Sequence, residues 1–194
     1  MTGPEPLTGE PLALDLLNTL PYAAGGEPYD HLADAGRLRA WLALEADRLP
    51  RAAGEHTADA ADAAALRTLR SCAARALAAA RRGERPDAAD LDALNEAQRA
   101  APAVRFAEWD GATVTAEPRR SGPLGTRLAA ALAEEVVLLL ADPAVRKVRK
   151  CEADDCTMLF LPAHPRRRWC SAARCGNRAR VARYYARHKE DRPG

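Results

Sequence analysis

Residues that carry chemistry are scarce in this chain of 194 residues. It has four histidines. Neither His31 nor His56 has a serine, a cysteine or a paired carboxylate at the spacing of a catalytic motif, and both read as surface or loop residues. Its twelve glycines form no phosphate-cradling loop. Together these absences argue against an enzyme. Aromatic residues make up only 5% of the chain, and the C-terminal part lacks the platform of exposed rings on which single-stranded nucleic acids stack. Tyr184 and Tyr185 read as packing residues. No apolar run approaches the length of a membrane span, the longest being Val136 to Ala141. Met1 to Pro11 has no basic stretch followed by an apolar core, so the chain is expected in the cytoplasm, where thiols stay reduced. It shows no internal repeat.

Charge is present but unevenly spread. The formal net charge is +2. From residue 146 onward, fourteen Lys/Arg stand against five Asp/Glu, a net +9, while the first 145 residues sum to −7. An acidic body with a basic tail points to a polyanion that meets the tail alone.

Four of the five cysteines also fall in that tail, as Cys151/Cys156 and Cys170/Cys175. Four residues lie within each pair and thirteen between the pairs. Two short loops, each giving two thiolates, can surround one tetrahedral zinc ion, although the commonest structural spacing has two residues within a pair. Disulfides are disfavoured in a reducing compartment, and four paired thiols in a polar segment are poor packing residues. His164 lies between Ala163 and Pro165, breaks the symmetry of the pairs and reads as a loop residue. The lone Cys72, set in a helical stretch among small residues, reads as a packed small hydrophobe.

Trp169-Cys170-Ser171 and Cys175-Gly176-Asn177-Arg178 resemble the CGNR zinc-finger family, and Leu159-Phe160-Leu161 and Arg167-Arg168 lie where that family has an apolar strand and a basic pair. Leu12 to Thr19 resembles the opening of the ABATE domain that usually precedes the finger. The resemblance implies a bacterial, stress-induced transcription regulator. One departure is visible: Pro162-Ala163-His164-Pro165 replaces the acidic residue and small polar loop usual after the strand.

Residues 1–142 read as a mainly helical domain with one β-hairpin, following a loose lead-in to Glu10. Helices are expected from Pro11, broken at Pro21; after the cap Asp34, with Leu38, Trp41, Leu42 and Leu44, to near Leu49-Pro50; from the cap Thr57 to Arg82; from Asp87 to Ala100, with Leu91, Leu94 and Ala97 inward; and from Leu124 to Ala141. Asp30 is a further cap candidate, and residues 22–29 read as a loop. Val104 to Glu117 changes to a period of two around Asp110-Gly111, a hairpin cue in which both loop residues take positive φ. Asp15, Asn18 and Thr19 are polar groups in an apolar opening segment. They could line a small-molecule pocket for an effector, or cap and brace the helix.

Residues 143–150 read as a basic connector and 151–194 as the finger, treble-clef-like in order: a knuckle, a hairpin and a ligand-bearing helix. Thr157 to Leu161 is expected to pair with Arg167-Arg168-Trp169, and Ser171 to cap a helix to about Lys189. Forty-odd residues bury too little apolar surface to fold alone, so one structural zinc ion would organise them. Arg174, Asn177 and Arg178 are placed to support the thiolates or the helix start. Val181, Tyr185 and His188 are expected to pack on Phe160 and Trp169. Arg180, Arg183 and Arg187 share another helical face, and Arg166, Arg167 and Arg168 form a second basic strip. These six would contact double-stranded DNA, with the helical domain sensing a ligand or forming a homodimer. The alternative is a zinc-stabilised protein-interaction module.

Overall fold

Leucine and alanine at helical spacing set most of the architecture. The computed structural model describes residues 5–21, 29–49 and 57–190, with the side chains at 182, 183 and 186–190 outside that description. The loop expected at 22–28, His56 and Pro50 therefore lie outside it.

The helices are α1 (Leu12–Leu17), α2 (Ala35–Leu44), α3 (Ala60–Arg82), α4 (Ala88–Ala100), α5 (Leu124–Ala141) and α6 (Asn177–Glu190). Asp34 caps α2 by accepting from the Arg37 amide, as expected, but α2 ends at Leu44 and leaves that side chain exposed. Asp30 accepts from the Leu32 amide in a turn and opens no helix. The cap of α3 is Asp59, not Thr57. Asp59 and Asp62 accept each other's backbone N–H at 2.9 Å, a reciprocal box that a threonine two residues earlier cannot form. Gly83 ends α3 with φ +74°, and the Glu84 amide reaches back to the Ala79 carbonyl. Asp62 also accepts the Gly125 amide at 2.7 Å. A Cβ at Gly125 would lie 2.4 Å from that carboxylate oxygen, so glycine is what lets α5 start against α3.

One core joins α1, α2, α3, α4 and α5, with Leu14, Leu16, Leu38, Trp41, Leu66, Leu94 and Leu132 fully buried. The expected inward set of α4 is partly realised: Leu94 is buried, Leu91 and Ala97 half-buried. Cys72 is half-buried, with the Arg75 guanidinium 3.5 Å from its sulfur, rather than packed in the core. Residues 143–147 form a 3-10 turn rather than a free connector. Val145 and Val148 plug into the same core, and Arg81 donates to the Val148 carbonyl.

Strands β1 (Val104–Trp109) and β2 (Val114–Arg119) form the expected antiparallel hairpin. Its turn differs. The connection is the four residues 110–113, only Gly111 takes positive φ, and the Asp110 carboxylate accepts from the Ala112 and Thr113 amides at 2.8 Å. The side chain thus supplies the turn bonds that a tight two-residue loop draws from its backbone. Among the described residues the hairpin packs on no other helix or strand, and Phe106, Trp109 and Val114 face water.

The second sheet pairs β3 (Arg149–Lys150) with β4 (Leu159–Phe160), matching Arg149 to Phe160 and Lys150 to Leu159. This corrects the expected pairing of β4 with Arg167 to Trp169. The knuckle Cys151–Cys156 lies within the hairpin turn, so the residues on either side of it pair. The Cys151 amide donates to the Met158 carbonyl at 2.9 Å and the Cys156 amide to the Ala153 carbonyl at 3.0 Å. Residues 167–169 lie alongside as coil, with the Glu152 amide on the Arg168 carbonyl.

Candidate metal centre

The knuckle brings Cys151 and Cys156 to one side of the site, and the coil before the last helix brings Cys170. Ser171 caps the wide turn Ala172–Gly176 by accepting from the Arg174 amide at 3.0 Å, which carries Cys175 into place. All four sulfurs are buried and lie within 4.8 Å of one another. Cys156 and Cys170 are 3.8 Å apart, Cys170 and Cys175 3.5 Å. A zinc–sulfur bond of about 2.3 Å in a tetrahedron places sulfurs about 3.8 Å apart, whereas a disulfide needs about 2.05 Å. The observed separations fit four sulfurs around one ion. All five cysteines are free of disulfides.

The electrostatics agree. Hydrogen bonding from Cys170 draws the Cys156 thiol down to about 5, and the same contact together with burial drives Cys170 far up. A divalent cation lets all four thiols ionise. Two groups already aim positive charge at sulfur: the Cys170 amide lies 3.3 Å from Cys151 Sγ, and Arg178 Nη2 lies 3.2 Å from Cys175 Sγ.

A family model described as "Putative stress-induced transcription regulator", named ABATE, matches residues 10–143, and the CGNR zinc-finger model matches residues 147–188. The chain belongs to the ABATE family and ends in a CGNR zinc finger. Comparison with curated proteins returned no match. Among the described residues Cys151, Cys156, Cys170 and Cys175 are the group placed to hold one zinc ion, in keeping with the CGNR finger.

The residues expected to support the site divide. Arg178 does so, tied also to Asp155 at 2.6 and 3.0 Å. Arg174 points instead to the Glu5 carbonyl, 2.7 Å away. Asn177 is exposed at the start of α6 and accepts from Arg180 at 3.2 Å. His164 is exposed in its turn, accepting from the Arg166 amide, and stands outside the cage.

The expected basic strip loses a member. Arg167 turns inward: it lies over the Phe160 ring, pairs with Glu10 at 2.5 Å and donates to the carbonyls of Trp169 and Cys170. Arg168 is exposed but paired with Glu152 at 2.5 Å. That pair and Asp155–Arg178 line a cleft of about 470 Å³ beside Trp169. Arg166 and Arg180 are exposed. The side chains of Arg183, Arg187 and His188 lie outside the described residues. Among the described residues, α6 packs on the turn that opens it and on no other helix or strand. Val181 and Tyr185 are therefore exposed, not packed on Phe160 and Trp169. Arg167 covers Phe160 in their place.

In the ABATE domain, Asp15, Asn18 and Thr19 are all buried, with protein partners for their polar atoms. Asn18 clamps Leu159 of the finger from both sides, donating to its carbonyl at 2.9 Å and accepting from its amide at 2.8 Å. Thr19 donates to the Leu16 carbonyl and accepts from Arg70, which forks onto Asp30 at 2.7 Å. Asp15 accepts from Gly9, Glu10 and Arg48. These bonds brace the fold. Burial raises the Asp15 carboxyl to about 7 against the pull of Arg48. His31 is buried in its loop, edge-on to Tyr29, rather than on the surface. Sequence reasoning missed Glu10 and Arg48, since an acid in a Pro/Gly-rich lead-in and an arginine near a helix end carry no local signal.

Proposed function

We propose that this ABATE protein is a DNA-binding transcription regulator in which the CGNR finger presents α6 to the duplex. One observation carries the reading: among the described residues the basic helix α6 packs on the turn that opens it and on no other helix or strand, above the four thiols that would hold the zinc. Fourteen helical residues span roughly 21 Å, and a free helix of that kind fits the major groove. Arg166 and Arg180 offer exposed cations for phosphate, with Arg183 and Arg187 further along the same helix. The closed four-thiolate shell gives the zinc a structural role, because it leaves no position for a water nucleophile. The helical domain takes the second task, ligand sensing or assembly. The exposed ring of Trp109 beside Val114 supports assembly.

A random duplex titrated with the zinc-loaded protein tests the reading. The logarithm of affinity should fall by about 0.9 per phosphate contact for each tenfold rise in salt. The triple variant Arg180→Ala, Arg183→Ala, Arg187→Ala should bind far more weakly while keeping its zinc. Affinity indifferent to salt and to these changes would favour the second reading, a protein-interaction module. That reading draws its support from exposed Val181 and Tyr185, apolar groups that phosphate does not require.

A further inference from the structure

The finger does not complete its own core. The buried cluster around the four sulfurs contains Met158 and Phe160 from the finger and also Leu7, from the segment expected to be a loose lead-in. Residues 5–10 run across the metal module and are fastened at both ends. On the finger side, Arg174 donates to the Glu5 carbonyl at 2.7 Å. The buried Glu10 carboxylate accepts from the Leu161 amide at 2.9 Å and from Arg167 at 2.5 Å. Arg167 in turn holds the carbonyl of the ligand Cys170. On the helical side, Asp15 accepts from the Gly9 amide at 2.9 Å and from the Glu10 amide at 3.2 Å, and Arg48 donates to the Glu10 carbonyl. Arg48 is itself held by Asp15 and by buried Glu45.

We infer that Leu7 and Glu10 are positioning residues of the zinc site, and that the strap 5–10 couples metal occupancy of the finger to the buried ion cluster of the helical domain. Glu10 fixes Arg167, Arg167 fixes the Cys170 carbonyl, and Leu7 closes the apolar side of the cage. Outer groups that orient metal ligands typically change metal affinity by about 10- to 100-fold. The coupling is reciprocal: whatever pulls the strap off the finger weakens zinc binding, and loss of zinc loosens the strap from Asp15. This holds whether or not α6 meets DNA.

The test uses the full-length zinc-loaded protein and a chromophoric chelator as competitor. Leu7→Ala and Glu10→Gln should each weaken zinc binding by about tenfold, with the helical circular-dichroism signal retained. Glu10→Gln keeps the side-chain shape and so decides the matter if Leu7→Ala fails to fold. In the unaltered protein, stripping the metal should speed hydrogen exchange at the Gly9 and Glu10 amides, which lie outside the finger. Zinc affinity of Glu10→Gln within twofold of the parent, or unchanged exchange at those two amides, overturns the inference.

Discussion

Asp15 shows how much one side chain can carry. It is fully buried, faces Arg48 and Glu45 of the α2 end and the amides of Gly9 and Glu10, and has its carboxyl raised to about 7. A raised carboxyl means that the folded state keeps a proton which the unfolded chain releases near its ordinary value of 3.8. Its contribution to stability is therefore greatest below about pH 4 and is lost as pH rises toward 7. Asp15→Asn cannot titrate. The stability difference between parent and variant, from urea unfolding at matched pH, should shift in the variant's favour between pH 4 and 7. A difference that stays flat across that window would show that the proton resides elsewhere. The four cysteines were legible in the sequence for a simple reason: ligands of one ion must recur in pairs on short loops, and that spacing is local. The Asn18–Leu159 clamp was not legible, because its two members are 141 residues apart.

Among the elements, two surprises share a cause. The alternating pattern of residues 104–117 specified a hairpin, and the run after Ser171 specified a helix, which forms as the wide turn Ala172–Gly176 that Ser171 caps and then α6, but neither pattern says what lies alongside. In the structure the hairpin and α6 both stand off the body. Isolated two-stranded hairpins are marginal in water, so β1–β2 contributes little to the core beneath it. Replacing residues 104–119 with a short flexible turn should leave α4 packed on α5 and change the free energy of unfolding by less than about 1 kcal/mol. A loss of several kcal/mol would mean that the hairpin supports the helices after all. The β4 partner was misjudged because residues 167–169 are near enough in sequence to return. The knuckle instead closes on Arg149 and Lys150, where the Cys151 amide donates to the Met158 carbonyl and continues the ladder.

At the level of the whole molecule, two cores meet along β4, where Leu159 and Leu161 pack on the larger core and the Asn18 and Glu10 bonds lie beside them. The larger holds α1 to α5 with Val145 and Val148; the smaller holds the cysteines, Met158, Phe160 and Leu7. The four thiols belong to the smaller, so that is the core a metal ion would hold together. Chelation should release the finger, with about 10 kcal/mol or more of coupled binding energy, while far-UV circular dichroism retains the signal of the five body helices. Complete loss of helicity on chelation would show a single cooperative unit. No helix among the described residues is long and apolar enough to cross a membrane.

The sequence by itself determined what repeats locally: the helical faces of α3 and α5, the hairpin of residues 104–119 though not the form of its turn, the paired thiols of the zinc site, the charge split between body and tail. Each depends on neighbours within a few residues. Tertiary structure alone decided that Arg167 turns inward while Arg180 stays exposed, that Leu7 belongs to the metal core, and that Asp15, Asn18 and Thr19 brace the interior. Those outcomes depend on which distant groups arrive to satisfy a buried charge or amide, and such partners leave no trace in local spacing.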